Sequence, residues 1–455
     1  MEKNRAYTIL EHIGWGKYNL FAFLHCGFAW GTFSFWFVST AYVIQGATEE
    51  WDFNTFQAGI IGSFIPFGIL FGSLSWGYIG DRYGRMYAFK PSAVIVSIGS
   101  LLLVFSPNFY LVAIALSLLG FGMAGELTLG GTVFCEFCPP SKRYYMTLLS
   151  LFISIGAIAV TLVALLVSLI NTSKFYNWRI IVAIGVAIEI CVMFFRFFMN
   201  ETPAFLVSQN RQIEADRILN AISLKNTGKK IDKSDYSSSL NSDEIIIEKV
   251  DKKLIKSEES KPNKLFTPPL LKTTVVMGLV YMFAGYSYAG ILYFMPEFLE
   301  EFSTSTGFAI ILAQQCCGIP GVLLSAKLIE TRLGRRFTIL IFYSLSGLMI
   351  LFLSFNTNFW FVLIISGAGY FFILIGLSAM FTIGPESFPT SIRSKALALM
   401  NVTTRIGGIS SPIIIGYFLE LSNGKFMGLL CLCVIYITAG VFALLLKETK
   451  GQQIG

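Results

Sequence analysis

Charge is scarce in this chain. Asp, Glu, Lys and Arg supply 13% of its 455 residues, while apolar and aromatic types supply 55%; an average soluble domain is roughly 25% charged. So little polar surface excludes a water-soluble fold. Histidine is nearly absent, with only His12 and His25, which excludes a His-based metal cage. Of the eight cysteines, Cys26, Cys191, Cys316, Cys317, Cys431 and Cys433 fall inside apolar runs, where a free Cys packs as a small hydrophobe. Cys135 and Cys138 form a C-x-x-C spacing without a second pair, so no metal or cofactor is expected. No clustered nucleophile, His or metal-ligand set appears, which argues against an enzyme. The first 17 residues are polar and mixed in charge; they do not read as a cleavable signal, and the first long apolar run is expected to be an uncleaved anchor.

What the chain has instead is apolar runs of about 20 residues, each long enough to cross a hydrocarbon core of about 30 Å as a helix. Twelve spans are expected, at 18–45, 54–79, 87–106, 109–134, 144–170, 178–199, 272–296, 305–329, 337–355, 358–383, 395–419 and 425–446. The fold class is therefore an all-α membrane protein. Its net charge of +7 is spread over short loops and one linker, which points to orientation in a bilayer and not to nucleic acid. Arg82, Arg85, Lys142, Arg143, Arg335, Arg336, Arg393 and Lys395 lie in alternate loops, and the opposite loops carry Glu49, Glu50, Asp52, Glu297, Glu300 and Glu301. The positive-inside rule then places both termini in the cytoplasm. Whether the membrane is the plasma membrane or an internal one stays open.

Two motifs recur at one spacing. Asp81-Arg82-Tyr83-Gly84-Arg85 has a counterpart ending in Gly334-Arg335, and Glu136-Phe-Cys-Pro139-Pro-Ser-Lys-Arg143 is echoed by Glu386-Ser-Phe-Pro389-Thr-Ser-Ile-Arg393, all 250 residues apart. A shared offset implies duplication, giving a six-helix bundle at 1–200, a linker at 201–271 and a second bundle at 272–455. The linker opens with a short amphipathic helix and passes into Ser-, Lys- and acid-rich sequence that buries too little apolar area to order. Glycines such as Gly68, Gly72 and Gly120 suit close helix contacts in lipid. One chain contains both bundles, so a monomer suffices.

The pattern G-x-x-x-D-R-x-G-R at Gly77 to Arg85 resembles the signature of the major facilitator superfamily. Pro385-Glu386-Ser-Phe-Pro389, Glu201-Thr-Pro-Ala-Phe-Leu206 and Glu448-Thr-Lys-Gly451 resemble its sugar-porter and organic-ion branch, and Leu10-Glu-His-Ile-Gly-Trp-Gly-Lys-Tyr18 is similar to synaptic-vesicle-protein-related transporters. The resemblance implies two pseudo-symmetric six-helix bundles, a central site at mid-membrane depth and alternating access. It also implies a gating latch at Asp81, Arg85, Glu136 and Arg143, repeated at Arg335, Glu386 and Arg393; Thr331 stands where the second copy would have its Asp.

Ionisable residues deep in a span cost roughly 2.5–3.5 kcal/mol on insertion scales, so they face a cavity or a partner. Arg405 and Glu126 are such residues. Arg405 stands where organic-anion carriers resembling this branch have a cation, and a guanidinium can hold a carboxylate by two parallel hydrogen bonds; a structural pair with a nearby acid is the competing reading. Glu126 is expected to carry a proton, since Phe33 falls near the place where the related transporters have an acid. His25 is a second titratable candidate. Glu189 reads as structural, and Arg196 as close enough to the membrane surface to snorkel. Tyr281 and Tyr288 share one helix face, Tyr286 and Tyr293 another, and only one pair is expected to join Gln314, Gln315 and Tyr370 in lining a small-molecule cavity. The function expected is proton-coupled transport of a small organic anion. A uniporter of a neutral sugar-like solute and a transporter-like sensor or sorting protein are the rivals.

Overall fold

The computed structural model describes residues 2–142, 145–170, 174–230, 265–329, 331, 333–388 and 390–449. Fifteen α-helices and no strand occur among the described residues. A short α1 (Glu2–Ile13) precedes six long helices: α2 (Lys17–Trp51), α3 (Thr55–Arg82), α4 (Arg85–Val104), α5 (Phe109–Phe137), α6 (Tyr145–Ile170) and α7 (Lys174–Arg196). Two shorter ones follow, α8 (Pro203–Ser208) and α9 (Gln212–Thr227). The second long set is α10 (Pro268–Phe298), α11 (Thr304–Leu328), α12 (Gly334–Phe352), α13 (Phe359–Glu386), α14 (Thr390–Leu419) and α15 (Gly424–Ala443). These two sets of six supply twelve helices long and apolar enough to cross a membrane. The even number returns the chain to the face on which it starts, called here the terminal face.

Local chemistry sets the helix starts. Asn54 accepts from the Gln57 amide at 2.8 Å while the Gln57 side chain accepts from the Asn54 amide at 3.1 Å, a reciprocal cap that satisfies two donors at once. Asn108 accepts from the Leu111 amide at 3.0 Å and Asn358 from the Trp360 amide at 3.0 Å. These two caps open α5 and α13 and are themselves 250 residues apart, a third pair at the duplication's offset. At the opposite ends, Gly84 and Gly334 hold positive φ of 131° and 68°. A Cβ at either place would meet the carboxylate of Glu201 or Glu448 at 2.5 Å, so backbone and neighbour both demand glycine.

Small residues draw the helices together. Gly68 and Gly72 of α3 lie against the backbone at Ser117 and Phe121 of α5, and Gly120 returns the contact at Ile65. A second seam joins the two sets of six: Gly59 of α3 lies against Pro412 of α14, and Gly416 against Thr55. Along it Thr55 Oγ1 donates to the Gly416 carbonyl at 2.9 Å, Ser63 Oγ to the Ile409 carbonyl at 2.8 Å, and the Phe56 amide to Glu420 at 3.1 Å. All three lie toward the face opposite the terminal one.

The polar first residues form α1, and the linker opens with helix, α8 followed by α9, where a short amphipathic one is expected. Both dock on the first six-helix set: Arg5 pairs with Asp216 at 3.1 Å, and Asn226 binds the Tyr18 amide at 2.9 Å and Asn19 at 2.6 Å. These long-range bonds, not local composition, order residues 201–230. The rest of the linker, 231–264, lies outside the described residues.

Candidate functional site

Three polar groupings survive in this apolar frame. The first is a pair of matched networks at the terminal face. In the first half, Arg85 Nε donates to Glu136 at 3.2 Å, Thr202 Oγ1 donates to the other Glu136 oxygen at 2.5 Å, and Glu201 accepts from the amides of Arg85 and Met86 at 3.1 and 3.0 Å. In the second half, Arg335 donates to Glu386 at 3.1 and 3.2 Å, Thr449 to Glu386 at 2.5 Å, and Glu448 accepts from the amides of Arg335 and Arg336 at 3.0 and 3.3 Å. Glu201 and Glu448 thus cap the starts of α4 and α12, where the dipole favours an anion, and the Thr next to each ties it to the Arg–Glu pair. Asp81 is exposed and pairs with Arg85 of its own half. Arg393 is half-buried with Nε and Nη2 unpartnered, and Arg143 lies outside the described residues. The bonds described for the latch residues therefore lie inside one half. Thr202 and Thr449, quoted only as parts of motifs, are the members that sequence reasoning missed.

The second grouping lies where α2, α10, α13 and α14 meet. Arg405 of α14 is half-buried, and among the described residues it has neither an ion pair nor a hydrogen bond. The competing expectation of a structural acid partner finds no such acid among them. Within electrostatic range stands the hydroxyl of Tyr293, which is buried and unpartnered. The Tyr293 ring packs against Phe37 of α2 at 5.3 Å. Phe37 also stacks on Tyr288 at 6.1 Å and on Phe33 at 6.0 Å, so an aromatic column occupies the position at which an acid was sought. Tyr288 meets Tyr370 hydroxyl to hydroxyl at 3.5 Å. Tyr281 instead donates to the Met380 carbonyl at 3.2 Å, and Tyr286 faces Cys431 at 3.4 Å. The group around Phe37 thus takes one tyrosine from each expected face. Gln314 and Gln315 of α11 are buried, with Oε1 of one and Nε2 of the other unpartnered. Buried polar atoms without partners are uncommon; these two lie about one helical turn from Gly318, which packs against Tyr370.

The third grouping is buried within the first half. Arg196 Nη1 donates to Glu126 Oε1 at 2.8 Å, and Thr32 Oγ1 donates to Glu126 Oε2 at 3.1 Å. Trp36 Nε1 donates to Glu189 Oε2 at 3.2 Å. Arg196 is 1% exposed, and both acids are at 0%. Its guanidinium lies 4.4 Å from the Phe89 ring centre, a favourable cation–π placement. Arg196 therefore does not snorkel: Glu126 and Phe89 hold it inside. Glu126 is correspondingly an ion-paired carboxyl and not a lone one facing a cavity. His25 stands within electrostatic range of Arg196, its Nδ1 bonded to the Phe21 carbonyl at 2.8 Å and its Nε2 unpartnered.

Duplicated networks, a polar centre between two bundles and a buried ion pair are the parts of a solute carrier. Residues 18–454 match the model of the sugar (and other) transporter family. The chain belongs to that family. This sugar-transporter family member is 24% identical to organic cation/carnitine transporter 7 of Arabidopsis thaliana, over 99% of this chain and 96% of that one. It is 25% identical to the niacin transporter NiaP of Acinetobacter baylyi, over 91% and 90%. In fold it is similar to a D-xylose–proton symporter, at 14% identity, 96% and 100% coverage and a TM-score of 0.74. The family member is thus a multi-pass membrane transporter of the major facilitator fold, not an enzyme.

Proposed function

We propose that this transporter moves a small organic anion, such as a carboxylate metabolite or vitamin, by proton-coupled alternating access. The observation that carries the anion assignment is Arg405, a buried-side guanidinium without a carboxylate among the described residues. Tyr293, Tyr288, Tyr370, Gln314 and Gln315 would line the same site, with Tyr281 of α10 supporting through its bond to the Met380 carbonyl of α13. A carboxylate entering beside Arg405 gains two parallel charge-assisted hydrogen bonds. A niacin transporter among the relatives fits that chemistry, and a proton symporter among the structural neighbours fits the coupling. The proton belongs in the Glu126 cluster, with His25 beside it. The networks at Asp81, Arg85, Glu136 and Arg143, and at Arg335, Glu386 and Arg393, would gate the terminal face, which the loop charges assign to the cytoplasm.

The test is uptake of a solute panel into proteoliposomes, with and without an imposed pH difference. Arg405→Gln should raise KM for the transported anion at least about tenfold, the scale of a lost charged hydrogen bond, while leaving the amount of inserted protein unchanged. A neutral sugar carried equally well by wild type and Arg405→Gln, with no effect of the pH difference, would establish the uniporter instead. Absence of flux for every solute would favour the sensor.

A further inference from the structure

The Glu126 cluster contains two carboxyls and one guanidinium, and its hydrogen bonds divide unequally between the acids. Glu126 has the ion pair with Arg196 and the Thr32 hydroxyl. Glu189 has only the Trp36 indole on Oε2, and its Oε1 is buried without a partner. Yet the two acids stand one helical turn apart along α2, Glu126 on the Thr32 hydroxyl and Glu189 on the Trp36 indole, close enough to interact. Two carboxylates are acceptors only and cannot bond one another, whereas a carboxylic acid can donate to a carboxylate. Arg196 Nε and Nη2 are buried without partners as well, but the single charge of the guanidinium balances only one carboxylate; a proton on Glu189 satisfies its orphan oxygen and removes the buried negative charge that no second cation balances.

The groups facing Glu189 support this count. From α5 comes Glu126, from its own helix Arg196, from α2 Trp36, and from α4 the uncharged Phe89 beneath Arg196. His25 and Cys26 of α2 lie within electrostatic range of Arg196. His25 bonds neither acid: its Nδ1 is engaged with the Phe21 carbonyl and its Nε2 is without a partner. An isolated buried carboxylate is expensive, and such a group neutralises instead.

We infer that Glu189, and not Glu126, holds a resident proton, donated to Glu126 in an acid–carboxylate pair beside Arg196. Under the proton-coupled reading proposed above, on which its transport role rests, Glu189 is the group that loads and releases the coupled proton. Glu126 is then a positioning residue: it holds Arg196 and accepts from the acid.

The experiment is infrared spectroscopy of the full chain in bilayers, in normal and heavy water, following the deuterium-sensitive carbonyl stretch of a protonated carboxyl. Wild type should show a protected band that Glu189→Gln removes. In Glu126→Gln the band should shift, because its acceptor is lost, but persist. A band that survives Glu189→Gln unchanged, or disappears only in Glu126→Gln, overturns the assignment, as does a wild type without such a band. Thermal melting supplies a second reading if a variant inserts poorly. Glu189→Gln, which replaces one neutral donor by another, should melt close to wild type, and Glu126→Gln, which strands Arg196, well below it; the reverse order overturns the assignment. Uptake separates the two levels of the argument. A Glu189-dependent band with no response of wild-type uptake to a pH difference would leave the resident proton standing and remove the coupling.

Discussion

At the residue scale, burial decides what a charge can do. Removing Glu126 leaves the Arg196 guanidinium buried and unpaired, an imbalance that costs about 3–5 kcal/mol; Glu126→Gln should lower the unfolding midpoint sharply, and simultaneous Arg196→Met should restore part of it. Glu201 behaves differently because it lies outside the spans. Burial raises its pKa above the ordinary Glu range, against the opposing hydrogen bonds from the amides of Thr202, Met86 and Arg85. Folding then takes up a proton between the unfolded and native values, so this residue's contribution is most favourable below the unfolded pKa and is lost as pH rises through the native one. Glu201→Gln should flatten the dependence of the thermal midpoint on pH from about pH 4 upward. Arg405 and Glu126 were legible from sequence because ionisable residues inside a span are rare and expensive. The partnership of Glu126 with Arg196 was not. The seven-residue spacing of Glu189 and Arg196 puts both on one face of α7 but does not say which neighbouring helix that face meets.

At the level of elements, helix beginnings carry much of the legible information. Asn108 and Asn358 each cap a long span, and replacing either with Ala should cost about 0.5–2 kcal/mol, measured as a lowered unfolding midpoint, with similar losses at the two sites. Twelve spans could be read because hydropathy sets both length and type, and their ends fall within a few residues of expectation at α3, α11, α13 and α15. The first span runs on to Trp51, beyond the expected end at 45, and stops where Asp52 takes positive φ of 54°. Helix at the head of the linker was legible, but its docking was not, because bonds such as the Tyr18 amide to Asn226 join residues some 200 positions apart. On α10 a helical wheel pairs Tyr281 with Tyr288 and Tyr286 with Tyr293. The packing takes Tyr288 and Tyr293 instead, because Phe37 of α2 reaches between those two rings.

For the whole molecule, the position of the contacts defines a conformation. The hydrogen bonds described between the halves are those at Thr55, Phe56 and Ser63, on the side away from the terminal face, while each terminal-face network closes within its own half. If the halves rock, that far seam has to part. Joining Phe56→Cys to Glu420→Cys, which face each other across the seam, by a short reducible crosslinker should therefore stop net uptake, and reduction of the link should restore it; undiminished uptake in the linked protein would show that the seam does not move. Asp81→Asn should cut transport without altering the amount of inserted protein if the exposed carboxylate engages the other half in the alternate state.

The turns at Gly84 and Gly334 have one more consequence. Each receives a carboxylate from the end of its own half, Glu201 in one and Glu448 in the other, so each bundle carries its own clasp. A chain severed just beyond residue 230 would leave both clasps intact, and two separately translated pieces should be able to find each other in the bilayer and carry solute together.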